Sequence, residues 1–221
     1  TAAGAMFVWL EGSNGAYQDS AATQAAAATG DPVAVWRDRS GLNNHAVQTG
    51  DSTLKMRVLE NALNGKAALK PDGVDDSISI PHSASLLPSG LHMYVVFEVP
   101  PAGVNFRVLS KGAEAIRLYR EGVNLKVNLG NSPDTSIANP PTGWVIARIK
   151  YDGSRIAFKV TARTEVTRAH TTAMYGTSPL IIPEFGTDKP IHLVAAYTSE
   201  LGTAQQAAVE AYLTSETGLA V

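Results

Sequence analysis

Three carboxylates lie within five residues of one another, at Asp72, Asp75 and Asp76. Hard cations such as Ca²⁺ bind several carboxylate, amide and carbonyl oxygens, so these residues and Asn44 form a candidate calcium site. The same residue types also close tight turns, because Asp side chains accept hydrogen bonds from their own backbone and Gly73 admits positive φ. The spacing does not match an EF-hand loop. We predict that the cluster mainly builds a turn, with calcium as the alternative and no other cofactor.

The histidines show none of the paired spacings that metal ligands on one helix or hairpin require. They are scattered along the chain at His45, His82, His92, His170 and His192. We therefore predict that they are solvated or hydrogen-bonded, and we assign none of them to a metal.

The segments that position these residues have the sequence pattern of β-strands. Short apolar or β-branched runs recur along the chain, many of them alternate with polar residues, and Gly, Pro, Asn or Asp separates them. Asp152-Gly153 is a hairpin signal, because both residue types tolerate positive φ. The runs cover residues 5–10, 33–36, 67–69, 77–80, 93–99, 106–109, 116–119, 125–129, 144–150, 155–160, 180–182 and 191–197. The pattern predicts an all-β fold, a two-sheet antiparallel β-sandwich or jelly roll.

A short C-terminal α-helix is predicted over residues 203–217. Thr203 and Gln206 have the spacing of a capping box, in which the two side chains satisfy free amides of the first turn. Val209, Tyr212 and Leu213 then share one helical face, which we expect to pack on the sandwich. Gly218 supplies a left-handed stop.

The order of the turn motifs resembles that of laminin-G-like jelly-roll domains in the concanavalin A-like superfamily of lectins and glucanases. A Trp-x-Asp-x-Ser-Gly turn recurs in that family and is present here at residues 36–41. A later Phe-Asp-Gly-x-Asp-Asp turn corresponds to residues 71–76, with Pro71 in place of the aromatic residue. The resemblance spans nearly the whole chain and implies a single domain over residues 1–221. It does not imply one function, because lectins, adhesion modules, glycanases and virion components share this fold.

Catalytic signatures are missing from the sequence. A glycan hydrolase needs two carboxylates across a cleft, and related glucanases carry Glu-x-Asp-x-x-Glu on one strand. No such run occurs here. The chain also has no cysteine, no Gly-x-Ser-x-Gly elbow and no Gly-rich phosphate loop followed by Lys. We therefore predict that the protein is not an enzyme.

Ligand binding remains as a function, because sandwich loops can present aromatic faces and polar groups to a sugar. Trp9, Trp36 and Trp144 lie at strand positions, and we expect them in the core. We predict that Trp36 and Trp144 are mostly buried between the sheets. The candidate ligand-binding residues are instead in predicted loops: Tyr17, Asn105, Arg168, His170, Tyr175 and Phe185.

Composition limits the classes of partner. Hydrophobic residues make up 44% of the chain and charged residues 17%, which suits a sizeable core under a lightly charged surface. The net charge is −2 and the basic residues are dispersed, so nucleic acid is not an expected partner. No apolar run approaches the ~20 residues of a spanning helix, so we predict no membrane insertion.

These observations predict a non-catalytic surface binding or assembly module of lectin or adhesin type. The family resemblance implies an extracellular or virion-surface protein, such as a phage capsid decoration, fibre or tail component. Its expected partners are a glycan or cell-surface receptor, or other virion or surface proteins, and homo-oligomer formation is left open. The alternative is a divergent glycan hydrolase or lyase of the same fold. Two carboxylates about 5–10 Å apart in a concave groove would favour hydrolysis.

Overall fold

The computed structural model describes residues 4–12, 14–112, 115–130, 133–183 and 188–221. Within these ranges the chain forms antiparallel strands in two sheets and one C-terminal α-helix, which confirms the predicted all-β sandwich. The elements, in chain order, are β1 Met6–Glu11, β2 Ala16–Tyr17, β3 Val35–Trp36, β4 Ala46–Val47, β5 Arg57–Leu63, β6 Lys66–Lys70, β7 Ile78–Ile80, β8 Leu91–Val99, β9 Phe106–Ser110, β10 Ile116–Glu121, β11 Asn124–Leu129, β12 Thr135–Ala138, β13 Gly143–Tyr151, β14 Arg155–Val160, β15 Val166–Ala169, β16 Leu180–Ile182, β17 Ile191–Tyr197 and α1 Thr203–Thr217.

One sheet has eight strands in the described residues. Its order is β15-β14-β13-β8-β17-β6-β5, and β1 also pairs with β17. The second sheet has nine described strands in the order β12-β11-β10-β9-β16-β7-β4-β3-β2. The eight-stranded sheet therefore joins the first strand of the chain to the last one.

Alternation along the strands divides the apolar residues between two layers. In β13, Val145, Ala147 and Ile149 point into the large core between the sheets, whereas Ile146 points to the opposite face of the same sheet. That opposite face, called here the outer face, carries a smaller apolar cluster that includes Leu213 of α1. The eight-stranded sheet is thus covered on both faces.

The helix α1 covers the outer face. Its bounds are those predicted, but its N-cap residue is Gly202 rather than Thr203. The Gln205 side chain accepts a hydrogen bond from the Gly202 amide at 3.4 Å. The predicted capping roles of Thr203 and Gln206 are therefore wrong by one residue. Gly218 ends the helix at φ 72°, in the predicted left-handed conformation. No helix in the described residues is long and apolar enough to cross a membrane.

The tryptophans divide between the two layers. Trp36 is fully buried between the sheets, as predicted. The prediction for Trp144 is wrong, because this residue is only partly buried and packs on the outer face. Trp9 is likewise partly buried on the outer face. Both residues alternate with inward-pointing neighbours, so their strand positions were correct and their faces were not.

The strand β17 changes partners along its length, and this junction positions the residues described below. Ile191 pairs with β6, whereas residues 193–197 pair with β1. The end of β1 therefore meets β6, where the Gly12 amide donates to the His192 carbonyl at 2.7 Å. A Cβ at Gly12 would lie 2.6 Å from the Ala67 carbonyl oxygen, so this close approach requires glycine.

Candidate functional site

A groove of about 300 Å³ opens between the first strand and the C-terminal helix on the outer face. It is lined by Met6 and Trp9 of β1, Tyr212 of α1 and Arg39, which follows β3; we call it the Trp9–Tyr212 groove. The ring centroids of Trp9 and Tyr212 are 5.4 Å apart at an interplanar angle of 57°. The groove thus presents two inclined aromatic rings beside a guanidinium group.

The turn motif at residues 36–41 places Arg39 at this groove. The Asp38 carboxylate is buried and accepts hydrogen bonds from the amides of Trp9, Ser40 and Asn44, at 2.8, 2.9 and 2.9 Å. It thereby ties the turn to β1. The Arg39 amide in turn donates to the Trp9 carbonyl at 2.9 Å. Asp38 thus has a positioning role, since its acceptor oxygens hold three separate backbone donors.

A buried carboxylate fixes the side chains of the groove from below. Glu11 accepts hydrogen bonds from Trp9 Nε1 at 3.3 Å, Arg39 Nη1 at 3.1 Å and the Tyr212 hydroxyl at 2.9 Å. Its side chain is only 3% exposed, whereas that of Arg39 is 50% exposed. Burial and the bond to Glu11 raise the pKa of Tyr212 well above its usual value, so the hydroxyl remains a donor at neutral pH.

The groove has the chemistry of a sugar-binding surface. Exposed aromatic faces can pack on the C–H faces of a pyranose, and the outward N–H groups of Arg39 can donate to hydroxyl or carboxylate oxygens. The rings and the guanidinium are already held by Glu11, so little side-chain freedom remains to be lost on binding. The four residues that line the groove include no carboxylate.

The acidic turn forms a separate feature. Asp72 Oδ1 accepts hydrogen bonds from the Val74 and Asp75 amides at 2.8 and 3.4 Å, and Asp76 Oδ2 accepts one from the Asp72 amide at 2.9 Å. Each of the three carboxylates has an oxygen within 4.8 Å of the others. These hydrogen bonds make the turn, and calcium binding by the cluster stays a prediction.

Two carboxyl groups of the acidic turn have pKa values that are shifted in opposite directions. Burial, with the negative charge of Asp72 as the next cause, raises the pKa of Asp76 to about 6. Hydrogen bonds from backbone amides, led by that of Val74, lower the pKa of Asp72. Both residues line a second groove, of about 320 Å³, which also contains Arg57 and Lys70.

Asn44 has a different role from the predicted one. Its amide nitrogen donates to the Phe7 carbonyl at 2.7 Å and to Ser85 Oγ at 3.0 Å, and its Oδ1 accepts from Ser83 Oγ at 3.0 Å. The side chain is therefore occupied in holding β1 to the segment before β8. It is not available to complete a calcium site with Asp72.

Tyr17 and Arg168, both predicted as ligand-binding residues, lie far apart in the sheet order. Tyr17 is in β2, the last strand of the nine-stranded sheet, where its ring stacks under the Arg37 guanidinium at 4.6 Å. Arg168 is in β15, at an edge of the other sheet, and donates to the carbonyl of Asp134, next to β12. Since β2 and β12 are opposite ends of one sheet, these two residues do not share a site.

The other predicted loop residues differ in exposure. Asn105 is exposed, and its side chain accepts a hydrogen bond from the Gly122 amide at 2.8 Å. Tyr175 is 50% exposed. The prediction that His170 is an accessible loop residue is wrong, because it is only 5% exposed. The centroids of its ring and the Tyr151 ring are 5.1 Å apart. Phe185 lies outside the described residues.

Sequence reasoning missed the groove residues Trp9, Arg39 and Glu11 as a functional set. Trp9 was assigned to the core, although Val8 and Leu10 on either side are fully buried and the period of two places Trp9 on the other face. Tyr212 was predicted only as a packing residue. Recognising the groove requires the contact between residues about 200 positions apart along the chain, for which the sequence has no local signal.

Comparison with solved structures shows the β-sandwich fold. The botulinum neurotoxin DC binding domain solved with rat synaptotagmin II has a TM-score of 0.64 and 10% identity, over 93% of this chain and 51% of that one. Trypanosoma rangeli sialidase in complex with sialic acid has a TM-score of 0.60 and 11% identity, over 96% and 33%. A GH54 α-L-arabinofuranosidase has a TM-score of 0.57 and 13% identity, over 84% and 51%.

These similarities show that the protein is an all-β sandwich, and they do not identify its function. The chain spans between a third and a half of the length of these structures, and identities of 10–13% show the fold alone. No protein-family model matches the chain. A search of curated proteins gives no match either.

Proposed function

We propose that the protein is a non-catalytic carbohydrate-binding module and that the Trp9–Tyr212 groove is its binding surface. One observation carries the proposal: the buried Glu11 carboxylate holds Trp9, Arg39 and Tyr212 around one open groove. Rings that are fixed before the ligand arrives bind with a small loss of conformational entropy. A sugar with a carboxylate or several hydroxyls would use the exposed donors of Arg39.

The structural neighbours support this class of ligand. Among them are a sialidase in complex with sialic acid and a binding domain of botulinum neurotoxin DC in complex with SialylT. A further one concerns botulinum neurotoxin type C, whose cell entry depends on two ganglioside molecules. Proteins that contain this fold therefore include ones described with glycan ligands, and the groove supplies suitable side chains in this chain.

Binding is tested by screening the protein on a glycan array and titrating the best hit by calorimetry. We expect Arg39→Ala and Tyr212→Ala each to weaken binding at least tenfold, because each removes one wall of the groove. The matched control is Tyr175→Ala, which removes from a predicted loop a tyrosine that is more exposed than Tyr212, at 50% against 36%. If Tyr175→Ala abolished binding and the groove variants did not, the binding surface would be the predicted loops instead.

A second candidate function, glycan hydrolysis, is favoured by one observation at the acidic turn. Asp76 and Asp72 have pKa shifts of opposite direction in one groove, as an acid and a base of a hydrolase would. Against it, the Asp72 carboxylate is occupied by turn amides. Release of reducing sugar from array hits by the wild type, lost in Asp76→Asn, would establish hydrolysis. No release would leave binding as the function.

We further propose that the module acts at a cell or virion surface, with a receptor glycan or other surface proteins as partners. This placement rests on the resemblance to laminin-G-like domains, which occur in adhesion modules and virion components. Mass spectrometry of purified particles and of washed cell surfaces tests it. Recovery of the protein only from the soluble intracellular fraction would contradict it.

A further inference from the structure

A second cluster of chemistry-bearing side chains lies beneath the C-terminal helix, behind the groove. It consists of Glu11 at the end of β1, His192 in β17 and Glu216 in the last turn of α1. The Nε2 or Nδ1 atom of the histidine and one oxygen of each carboxylate all lie within 4.8 Å of one another. Glu11 and His192 are 2% and 0% exposed.

The hydrogen bond of His192 fixes which ring nitrogen carries the lone pair. Nδ1 lies 2.7 Å from the Ala67 carbonyl oxygen, and a carbonyl can only accept, so Nδ1 carries the proton. The lone pair is therefore on Nε2. This atom is buried and has no hydrogen-bond partner in the described part of the chain.

We propose that Glu11, His192 and Glu216 bind a divalent first-row transition metal ion, with Zn²⁺ as the ion that fits best. One imidazole and two carboxylates are a zinc ligand set, and a water molecule would complete a tetrahedron. A ligating histidine typically donates its other ring N–H to a carbonyl or carboxylate, as His192 does to Ala67. Calcium fits poorly, because it requires six or more oxygen ligands.

The geometry allows an ion with small side-chain adjustments. Zinc bonds of about 2.1 Å place tetrahedral ligand atoms about 3.4 Å apart, so the three ligand atoms would move together by at most about 1.4 Å. Glu216 can make this movement, because its side chain is 18% exposed and ion-paired only with Lys66 in the described residues, at 2.9 Å. Glu11 Oε2 accepts hydrogen bonds from both Trp9 and Arg39, whereas Oε1 accepts one from Tyr212 and retains a second lone pair for an ion.

An ion at this position would join β1, β17 and α1. Its binding would therefore stabilise the packing of the helix on the outer face, since a ligand bound only by the folded state shifts the unfolding equilibrium. The acidic turn at Asp72, Asp75 and Asp76 differs, because it has oxygen ligands alone and its amides and carboxylates bond to one another. It serves as the internal comparison.

The experiment is zinc titration of the full chain, freed of any purification tag and dialysed against EDTA and then against chelator-free buffer. Calorimetry and thermal unfolding are followed in the wild type, Glu216→Gln and the control Asp75→Asn. We expect micromolar or tighter Zn²⁺ binding with one ion per chain and a rise in melting temperature. Glu216→Gln should weaken binding at least tenfold, whereas Asp75→Asn should leave it unchanged.

Cobalt substitution supplies a readout that does not depend on a variant. Co²⁺ in a tetrahedral site with one imidazole and two carboxylates absorbs visible light much more strongly than Co²⁺ in water, and Zn²⁺ should displace this spectrum. Absence of zinc binding and of the cobalt spectrum in the wild type would overturn the proposal. Loss of binding in Asp75→Asn with retention in Glu216→Gln would also overturn it. Neither result would bear on glycan binding, because Glu216 does not line the groove.

Discussion

The two faces of the eight-stranded sheet are both covered, but by different chemistry. The inner face meets the other sheet through a continuous apolar core that contains Trp36. The outer face meets α1 through a small apolar cluster around Leu213 and through buried charges, including Glu11 and Arg148. Burying a charge is costly unless it is paired, so a face that needs only stability would be apolar. The comparison supports assigning stability to the inner face and the proposed binding function to the outer face.

The charges of the outer face form two groups along α1. Near its middle, Glu210 pairs with Arg148 and accepts hydrogen bonds from the Tyr94 hydroxyl at 3.3 Å and Gln206 Nε2 at 2.9 Å. Near its end, Glu11, His192 and Glu216 come together. The first group leaves Arg148 Nε without a hydrogen-bond partner in the described residues, but this atom is a donor and cannot bind a cation. The second group leaves His192 Nε2 without one, and a ring nitrogen with a lone pair can bind a metal ion. This chemical difference separates a structural network from a candidate ligand site.

Trp36→Ala should have the largest effect on stability. This side chain is fully buried between the sheets, and truncation of a buried tryptophan costs about 3–5 kcal/mol. Urea denaturation measures the loss. The matched change on the outer face, Trp144→Ala, should cost about half as much or less, because that side chain is only partly buried. Equal losses would remove the distinction between the two faces.

Glu210→Gln should have an intermediate effect. The substitution keeps the size of the side chain and removes the charge that pairs with Arg148, so we expect a loss of about 1–2 kcal/mol. Glu121→Gln is the control, since Glu121 pairs with Lys126 at the surface, where ion pairs contribute less than about 1 kcal/mol. Denaturation curves that shift equally for both variants would show that the charges under α1 behave like surface charges.

Asp76→Asn should have the smallest effect, and it should be stabilising. The pKa of Asp76 is raised from 3.8 to about 6, so folding favours the protonated carboxyl. Its contribution to stability is present below about pH 4 and is lost as the pH rises to about 6. Asparagine does not ionise, so the variant should be more stable than the wild type by about 1 kcal/mol at pH 7, after allowance for solvent screening, and equal to it at pH 4.

Thermal unfolding across this pH range tests the acidic turn directly. A variant that is less stable at pH 7, together with a calcium-dependent rise in the wild-type melting temperature, would show instead that the cluster binds calcium. The turn would then be a second metal site, of different ligand chemistry from that at His192.

Local patterns predicted most of the fold. Every predicted apolar run overlaps an observed strand, and the helix bounds are those predicted. Five observed strands have no predicted run. β5 is interrupted by a register shift, β15 is exposed along its length, β2 and β4 have two residues each, and β12 alternates but has only four residues. Their pairing is decided by partners distant in sequence, which periodicity does not report.

The candidate sites were predicted less well, because they depend on contacts across the whole chain. Glu11 and Tyr212 meet because β1 pairs with β17 and α1 folds back over both strands. His192 faces the cluster because β17 changes partner from β6 to β1 at that point. The sequence analysis assigned Tyr212 to helix packing and His192 to no metal, and it did not single out Glu11. Only the tertiary structure places them together.

The most direct test of the proposed binding surface is a crystal structure of the protein with the strongest hit from the glycan array. The crystal form should leave the outer face free of lattice contacts. We expect a sugar ring packed on Trp9 and Tyr212, with an Arg39 N–H group within about 3 Å of a sugar oxygen. A sugar bound instead at Asn105 and Tyr175, or in the groove beside Asp76, would contradict the assignment of ligand binding to the outer face.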